Sequence, residues 1–392
     1  MVATIKKQQS INNGIFSSFN KTLWVIPLFL FVFGLVEIFT ASRFKGVELK
    51  NNEFYFVILH FFWVLLGMFV GVVTSFIPPG LWKRIATPLY YVTIILLVAV
   101  FFTPEVNGAH RWFPITDAIP IQPSEFAKIT IIVYGAYLLC VYPKKSIRTY
   151  QEHLQNFVFP ILIRIAIPLL LIVLQPDLGT TVVIFISFFV MYLVKENKYF
   201  KQDLALLAAM GLAALALFSI IESYRVSRIN TYIHLLMTGQ IDDEFGTGYQ
   251  LRNILIGVGS GGLWGKGIGQ SRQRFGYLVE VTAFTDSISA VIFEELGLVL
   301  SGIFFSLYLI YFWVITANAM FQKDLYRKLV LWGSAAWIIS QTFLHLSANL
   351  ALMPVKGIPL PFITYGGSSI LSIAIGAGMI YAFSKQSGNN TK

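Results

Sequence analysis

About ten apolar stretches of roughly 20 residues, the length that crosses a bilayer as a helix, follow one another along the chain. That repetition leaves little choice of fold. A segment in hydrocarbon has to satisfy its own backbone hydrogen bonds, and helices do so within one segment. The expectation is an all-α integral membrane protein. Its spans are expected at 22–42, 55–78, 84–102, 122–141, 157–176, 178–194, 203–222, 286–315, 328–352 and 368–385. Gln175-Pro176-Asp177 divides one long apolar stretch into the fifth and sixth spans. The first run is long enough to span and stay, so it reads as a retained helix and not a cleaved signal. Only 12% of the residues are charged, about half the fraction of a soluble domain. Aromatics reach 16%, with 35 phenylalanines, as suits lipid-facing helices with aromatic belts.

The net charge of +10 would suggest nucleic acid in a soluble protein. Here the positives fall mostly in short loops between apolar runs, where they set orientation. Lys83 and Arg84, Lys144, Lys145 and Arg148, Lys195, Lys198 and Lys201, and Lys323, Arg327 and Lys328 mark one side as cytoplasmic. Arg43, Lys45 and Lys50 are a local exception. Residues 1–21 then form a cytoplasmic N-terminal segment and 22–385 a single transmembrane domain. Residues 386–392 form a cytoplasmic tail, and 223–285 is one long outside loop. A single cysteine, Cys140, excludes an intrachain disulfide and a thiolate metal cluster.

The long loop is unusual for a tether. Ile229, Ile233 and Leu236, then Leu251, Leu255 and Val258, recur at helical spacing, which predicts short amphipathic helices at the interface. Its cations, among them Arg228, Arg252 and Lys266, suit a pyrophosphate or an anionic lipid headgroup; attraction to bulk anionic lipid explains them equally well. The glycines from Gly257 to Gly269 lack the strand that precedes a dinucleotide fingerprint and the Gly-Lys-Ser/Thr ending of a phosphate loop. Tight backbone packing against a lipid-linked substrate, or simple turns, fits them better.

Ionisable groups within the spans are costly and are functional candidates by default. Glu125 and Lys128 are one helical turn apart and can neutralise each other, either as an ion pair that holds the bundle or as part of a site. Asp177, after Pro176, is placed to cap the next helix or to act in a site. Asp286 opens the eighth span immediately after the long loop and carries the same two readings. Glu294 and Glu295 lie deeper and are expected to pair with polar groups of the bundle. His60 and His345 lack a third ligand at metal spacing, so no metal site is assigned to them.

Seven ordered segments then resemble one family. They are GAHRWF at 108–113, IQPSEFAK at 121–128, QPDLGTT at 175–181, GYQLRN at 248–253, GGLWGKGIGQS at 261–271, TDSISAVIFEELG at 285–297 and GIPLPFITYGGSS at 357–369. The chain resembles the SEDS proteins, the FtsW/RodA/SpoVE group, and looks closer to FtsW. That resemblance implies a SEDS-type bundle in the bacterial inner membrane that polymerises peptidoglycan in cell division or shape maintenance. It implies an inverting transfer between lipid II and a lipid-linked glycan, giving a β-1,4 bond and releasing undecaprenyl pyrophosphate. It also implies a class B penicillin-binding transpeptidase as partner. The family's essential Asp falls on Asp286, because its spacing to Glu294-Glu295-Leu296-Gly297 is retained. Arg111, Glu125, Lys128, Asp177, Arg228, Arg252 and Lys266 are the substrate-binding candidates, with Glu125 holding Lys128. A divalent cation such as Mg or Mn is compatible with the chemistry and demanded by no motif. The chain departs from the family just before Asp286: Val279 stands for Pro, Phe284 for His, and two extra residues separate Glu280 from Asp286. A lipid II flippase and a non-catalytic scaffold of the division or elongation machinery are the competing readings.

Overall fold

Proline opens two of the membrane helices, at Pro79 and Pro123, where its missing N–H costs nothing and its fixed φ favours the helix. In the computed structural model the order is α1 (Val2–Lys50), α2 (Tyr55–Ser75) and α3 (Pro79–Ala99), then a ribbon of β1 (Phe113–Thr116) and β2 (Ile119–Ile121), then α4 (Pro123–Val141). Next come α5 (Tyr150–His153), which runs through a π-turn into α6 (Phe159–Leu174), α7 (Leu178–Val194), α8 (Phe200–Ile221), α9 (Ser223–Thr238) and α10 (Tyr249–Gly261). The chain closes with α11 (Ile288–Met320), α12 (Leu325–Asn349) and α13 (Gly367–Ser384). The structure describes residues 2–105, 108–116, 119–142, 147–195, 197–221, 223–241, 248–272, 283–354 and 357–385, without the side chains of 2–19, 115, 116, 119, 214–221 and 223–228. The tail at 386–392 and the altered residues Val279 and Glu280 lie outside the described residues.

Among the described residues, eight helices are long and apolar enough to cross a membrane. The helix α7 is slightly shorter and equally apolar, and the mostly apolar α8 has 22 residues; together they fill the ten expected positions. Burial separates centre from rim. In α4, α12 and α13 78% of the apolar window is buried, against 22% in α2 and 28% in α3, so the first three form the core and the last two face lipid. The helices α2 and α13 approach through small residues: a Cβ on Gly71 would lie 2.8 Å from the Ala374 carbonyl oxygen. Close backbone approach of this kind supplies contact where lipid tails are as apolar as the side chains.

Two features go beyond the expected spans. The helix that holds the first span continues past 42 to Lys50. Its projecting turn is stabilised by ion pairs of Arg43 with Glu53 and Lys45 with Glu48, so these local positives are neutralised. The eighth span is not one rod. Gly297 breaks α11 with φ 74° and ψ 177°, a conformation open essentially to glycine alone. The groups freed by the break are taken up by the glycine-rich segment. Lys266 and Gly267 donate their N–H to the carbonyls of Glu294 and Glu295, at 3.0 and 2.9 Å, and Leu298 and Val299 donate to Gly262 and Leu263, at 2.9 and 3.1 Å. A Cβ on Gly265 would collide with the Glu295 carbonyl. The glycines therefore pack the backbone against this chain's own broken helix.

Candidate active site

Asp286 sits half-buried in the turn that leads into α11, and α12 supports it from below. The Asn349 side-chain amide donates to the Asp286 carbonyl and to the His345 carbonyl, each at 3.0 Å. One turn back, His345 Nδ1 lies 2.7 Å from the Ile358 carbonyl, and another turn back the Gln341 amide donates to the Pro359 carbonyl at 2.8 Å. Gln341, His345 and Asn349 are spaced by four, so they share one helix face, and that face holds the segment 357–360 across the site. A Cβ on Gly357 would come within 2.9 Å of Asp286 Oδ2, so the strap lies directly against the carboxylate and a larger residue there would push it aside.

Beneath this layer is a closed polar network. Lys128 Nζ donates to both oxygens of Glu125, each at 2.9 Å, and to Gln341 Oε1 at 3.0 Å. Ser372 donates to Glu125 at 3.0 Å, and the Trp337 indole to Gln341 at 2.7 Å. Glu125 and Lys128 are 3% and 2% exposed, so the pair is a true buried ion pair, and it ties α4 to α12 and α13. Through Gln341 it reaches the strap over Asp286.

Asp177 caps α7: Oδ1 accepts from the Thr180 N–H at 3.0 Å, and Oδ2 accepts from Ser124 and Gln122 at 3.1 and 3.2 Å. Gln122 precedes α4, and its own N–H donates to Ser368 at the start of α13, at 2.9 Å. A Cβ on Gly179 would stand 2.6 Å from Ile358, which brings the start of α7 up to the strap. The N-termini of α4, α7 and α13 thus meet at one end of the bundle, and the strap joins them to the start of α11. Positive helix ends gathered in this way favour negative charge, whether a carboxylate or a phosphate. Arg111 adds a cation there, donating through Nε and Nη2 to the carbonyls of Gln175 and Pro176, both at 2.7 Å.

The remaining cations are spread along the loop. Lys266 pairs with Glu294, which also accepts from Ser260, Ser271 and the Arg272 N–H at 2.9, 2.7 and 3.2 Å. Glu294 is thereby the anchor of the glycine-rich segment. Arg252 is half-buried on α10. Arg228 is on α9, and its side chain lies outside the described residues. Phe284, in place of the family's His, is buried against Phe56 and Tyr365 with ring centroids 4.9 and 5.6 Å away. Its carbonyl accepts the Tyr365 N–H at 3.1 Å. Burial, reinforced by neighbouring Tyr55, pushes the Tyr365 phenol up to about 12, which keeps it neutral.

No three metal-ligating side chains converge among the described residues. Mg²⁺ needs only one or two carboxylates besides substrate phosphates, and Asp286 offers one. Reading the sequence missed Asn349, Gln341 and the positioning role of His345. The signal was present as two amide side chains and an imidazole, four residues apart, in one membrane span.

Comparison with known proteins fits this geometry. The FtsW/RodA/SpoVE profile, described as cell cycle protein, matches residues 20–389. A probable peptidoglycan glycosyltransferase FtsW of Moranella endobia is 34% identical, over 90% of each chain. The protein of that name from Escherichia coli O6:H1 is 31% identical, over 92% of this chain and 85% of the other. Among solved structures, RodA of Thermus thermophilus superposes with a TM-score of 0.61 at 25% identity, over 90% of this chain and 95% of that one. A chain from a peptidoglycan synthase complex that coordinates polymerization and crosslinking gives 0.66 at 24% identity, over 90% and 96%. The chain belongs to the FtsW/RodA/SpoVE family of cell cycle proteins.

Proposed function

We propose that this protein is a peptidoglycan glycosyltransferase that polymerises lipid II, with Asp286 as general base. The observation that carries the reading is the Asp286 carboxylate: half-buried, under a strap held by α12, at the end of the bundle where several positive helix ends gather. The acceptor sugar's 4-hydroxyl attacks the anomeric carbon of the lipid-linked donor. Asp286 takes the hydroxyl proton, the new C–O bond inverts the centre, and the bond to pyrophosphate breaks. The polyprenyl pyrophosphate leaves with the electron pair. General-base help of this kind is worth roughly 10²–10⁴-fold.

Charge developing on the leaving group needs fixed donors in place beforehand. Arg111, beside the start of α7, and Arg252 and Arg228 on the loop helices are assigned to that task. Glu125, Lys128 and Asp177, whose polar atoms are engaged within the protein, are assigned to holding those elements in register. Lys266 holds the loop through Glu294. A class B penicillin-binding transpeptidase is the expected partner, because transfer lengthens strands without crosslinking them.

Gel analysis of lipid II polymerisation by the purified protein with its transpeptidase tests the assignment. Asp286→Asn is expected to reduce product at least about 10²-fold with an unchanged melting temperature in detergent. Equal product from variant and wild type removes Asp286 as base.

A further inference from the structure

Arg164 is a charged residue within a membrane helix that takes no part in the candidate active site. It lies in the first half of α6, partly exposed, where α3, α4 and α6 pack against one another. Its neighbours Ile163 and Ile167 face lipid. The guanidinium turns back towards the start of its own helix: Nη1 donates to the Pro160 carbonyl at 2.6 Å. It lies over the Tyr142 ring, 5.8 Å from the centroid, just past the last residue of α4. A long cationic side chain that bends towards the interface in this way brings its charge to headgroup level. By the positive loops this is the cytoplasmic leaflet, at the other end of α4 from the candidate active site.

Tyrosines gather around this charge. Tyr90 donates to the Arg164 carbonyl at 2.8 Å and stacks on Tyr134 with ring centroids 4.2 Å apart, and the Arg164 charge faces the Tyr134 hydroxyl. Tyr91 and Tyr137 flank the stacked pair at centroid distances of 5.4 and 6.2 Å. Their hydroxyls make no hydrogen bond among the described residues. Every partner of Arg164 is neutral, and no carboxylate pairs with it among the described residues. A guanidinium at this depth is costly without a counter-charge. Packing accounts for Tyr90 and Tyr134, which are buried, but not for Tyr91, which is 59% exposed on the lipid side. We infer that the groove between α3, α4 and α6 holds the phosphate of an anionic phospholipid of the cytoplasmic leaflet. The Arg164 fork matches phosphate oxygens, and the phenols of Tyr91 and Tyr137 supply further donors. The way in is from the bilayer, between apolar side chains, which suits a lipid and not a soluble phosphate. The acyl chains then lie along Ile163 and Ile167.

Native mass spectrometry of the full-length protein, with phosphatidylglycerol titrated into the detergent, tests the site. One tightly held lipid is expected on the wild type, and Arg164→Gln should weaken it about tenfold, as loss of a hydrogen bond to a charged group does. Tyr91→Phe/Tyr137→Phe keeps the rings and the charge, so it should weaken binding several-fold at an unchanged melting temperature; this second variant decides the matter if Arg164→Gln folds poorly. Arg84→Gln removes an exposed cation on the same side and should leave the affinity for the first lipid as it is. Phosphatidylglycerol should also raise the melting temperature of the wild type and not that of Arg164→Gln. Unchanged affinity in both site variants overturns the proposal. An equal loss in Arg84→Gln overturns it in favour of bulk attraction to anionic headgroups. Equal retention of phosphatidylcholine, or displacement of the bound lipid by millimolar inorganic phosphate, overturns the anionic lipid as occupant.

Discussion

Lys128 and Glu125 satisfy each other in a part of the bundle with almost no access to water. Removing one partner leaves the other as an uncompensated buried charge, which typically costs about 3–5 kcal/mol. Lys128→Met is therefore expected to lower the melting temperature in detergent sharply. The double variant Glu125→Gln/Lys128→Met should recover much of the loss, since no net charge then remains buried. A double variant as unstable as the single one would show that the pair does more than neutralise. The pairing itself was legible, because an i,i+3 spacing of opposite charges in an apolar span has few other meanings. Its extension to Gln341, Trp337 and Ser372 was not, because those partners are more than 200 residues away in sequence and only packing brings them together. Phe284 makes the same point: its departure from the family pattern could be read, but its burial between α2 and the turn before α13 depends on the fold.

Hydropathy found where α11 lies and missed what happens inside it. A window average cannot see one glycine at positive φ, and the four hydrogen bonds that compensate for the break come from a segment some 30 residues earlier. Gly297→Ala is expected to cost about 1–3 kcal/mol through backbone strain and to detach the glycine-rich segment. Hydrogen exchange reads this directly: the amides of Lys266 and Gly267 should lose protection in the variant while those of α12 keep theirs. Unchanged protection at both amides would mean that the segment is held by Glu294 and not by the broken helix.

The spans were legible across the whole molecule because the bilayer imposes one length scale on every helix. How they associate was legible only in part: the buried α13 is less apolar than the lipid-facing α2, but which face of each helix meets which neighbour is settled by packing. Orientation rests on the positive loops. In a Cys140→Ser background, Gln240→Cys is expected to react with an impermeant maleimide added to intact spheroplasts, and Lys323→Cys only after permeabilisation. Both positions are exposed. The opposite pattern would invert the topology and place Asp286 on the side away from the wall.

The bonding between 262–267 and 294–299 also decides where this chain tolerates a change of length. The two extra residues after Glu280 fall between those two segments. A residue deleted between Asp286 and Glu294 would have to be absorbed inside a helix whose far end is clamped. It would swing Asp286 by about 100° around the axis, away from Gly357 and Asn349. A change of length between Asp286 and Glu294 is therefore expected to displace Asp286 from the site.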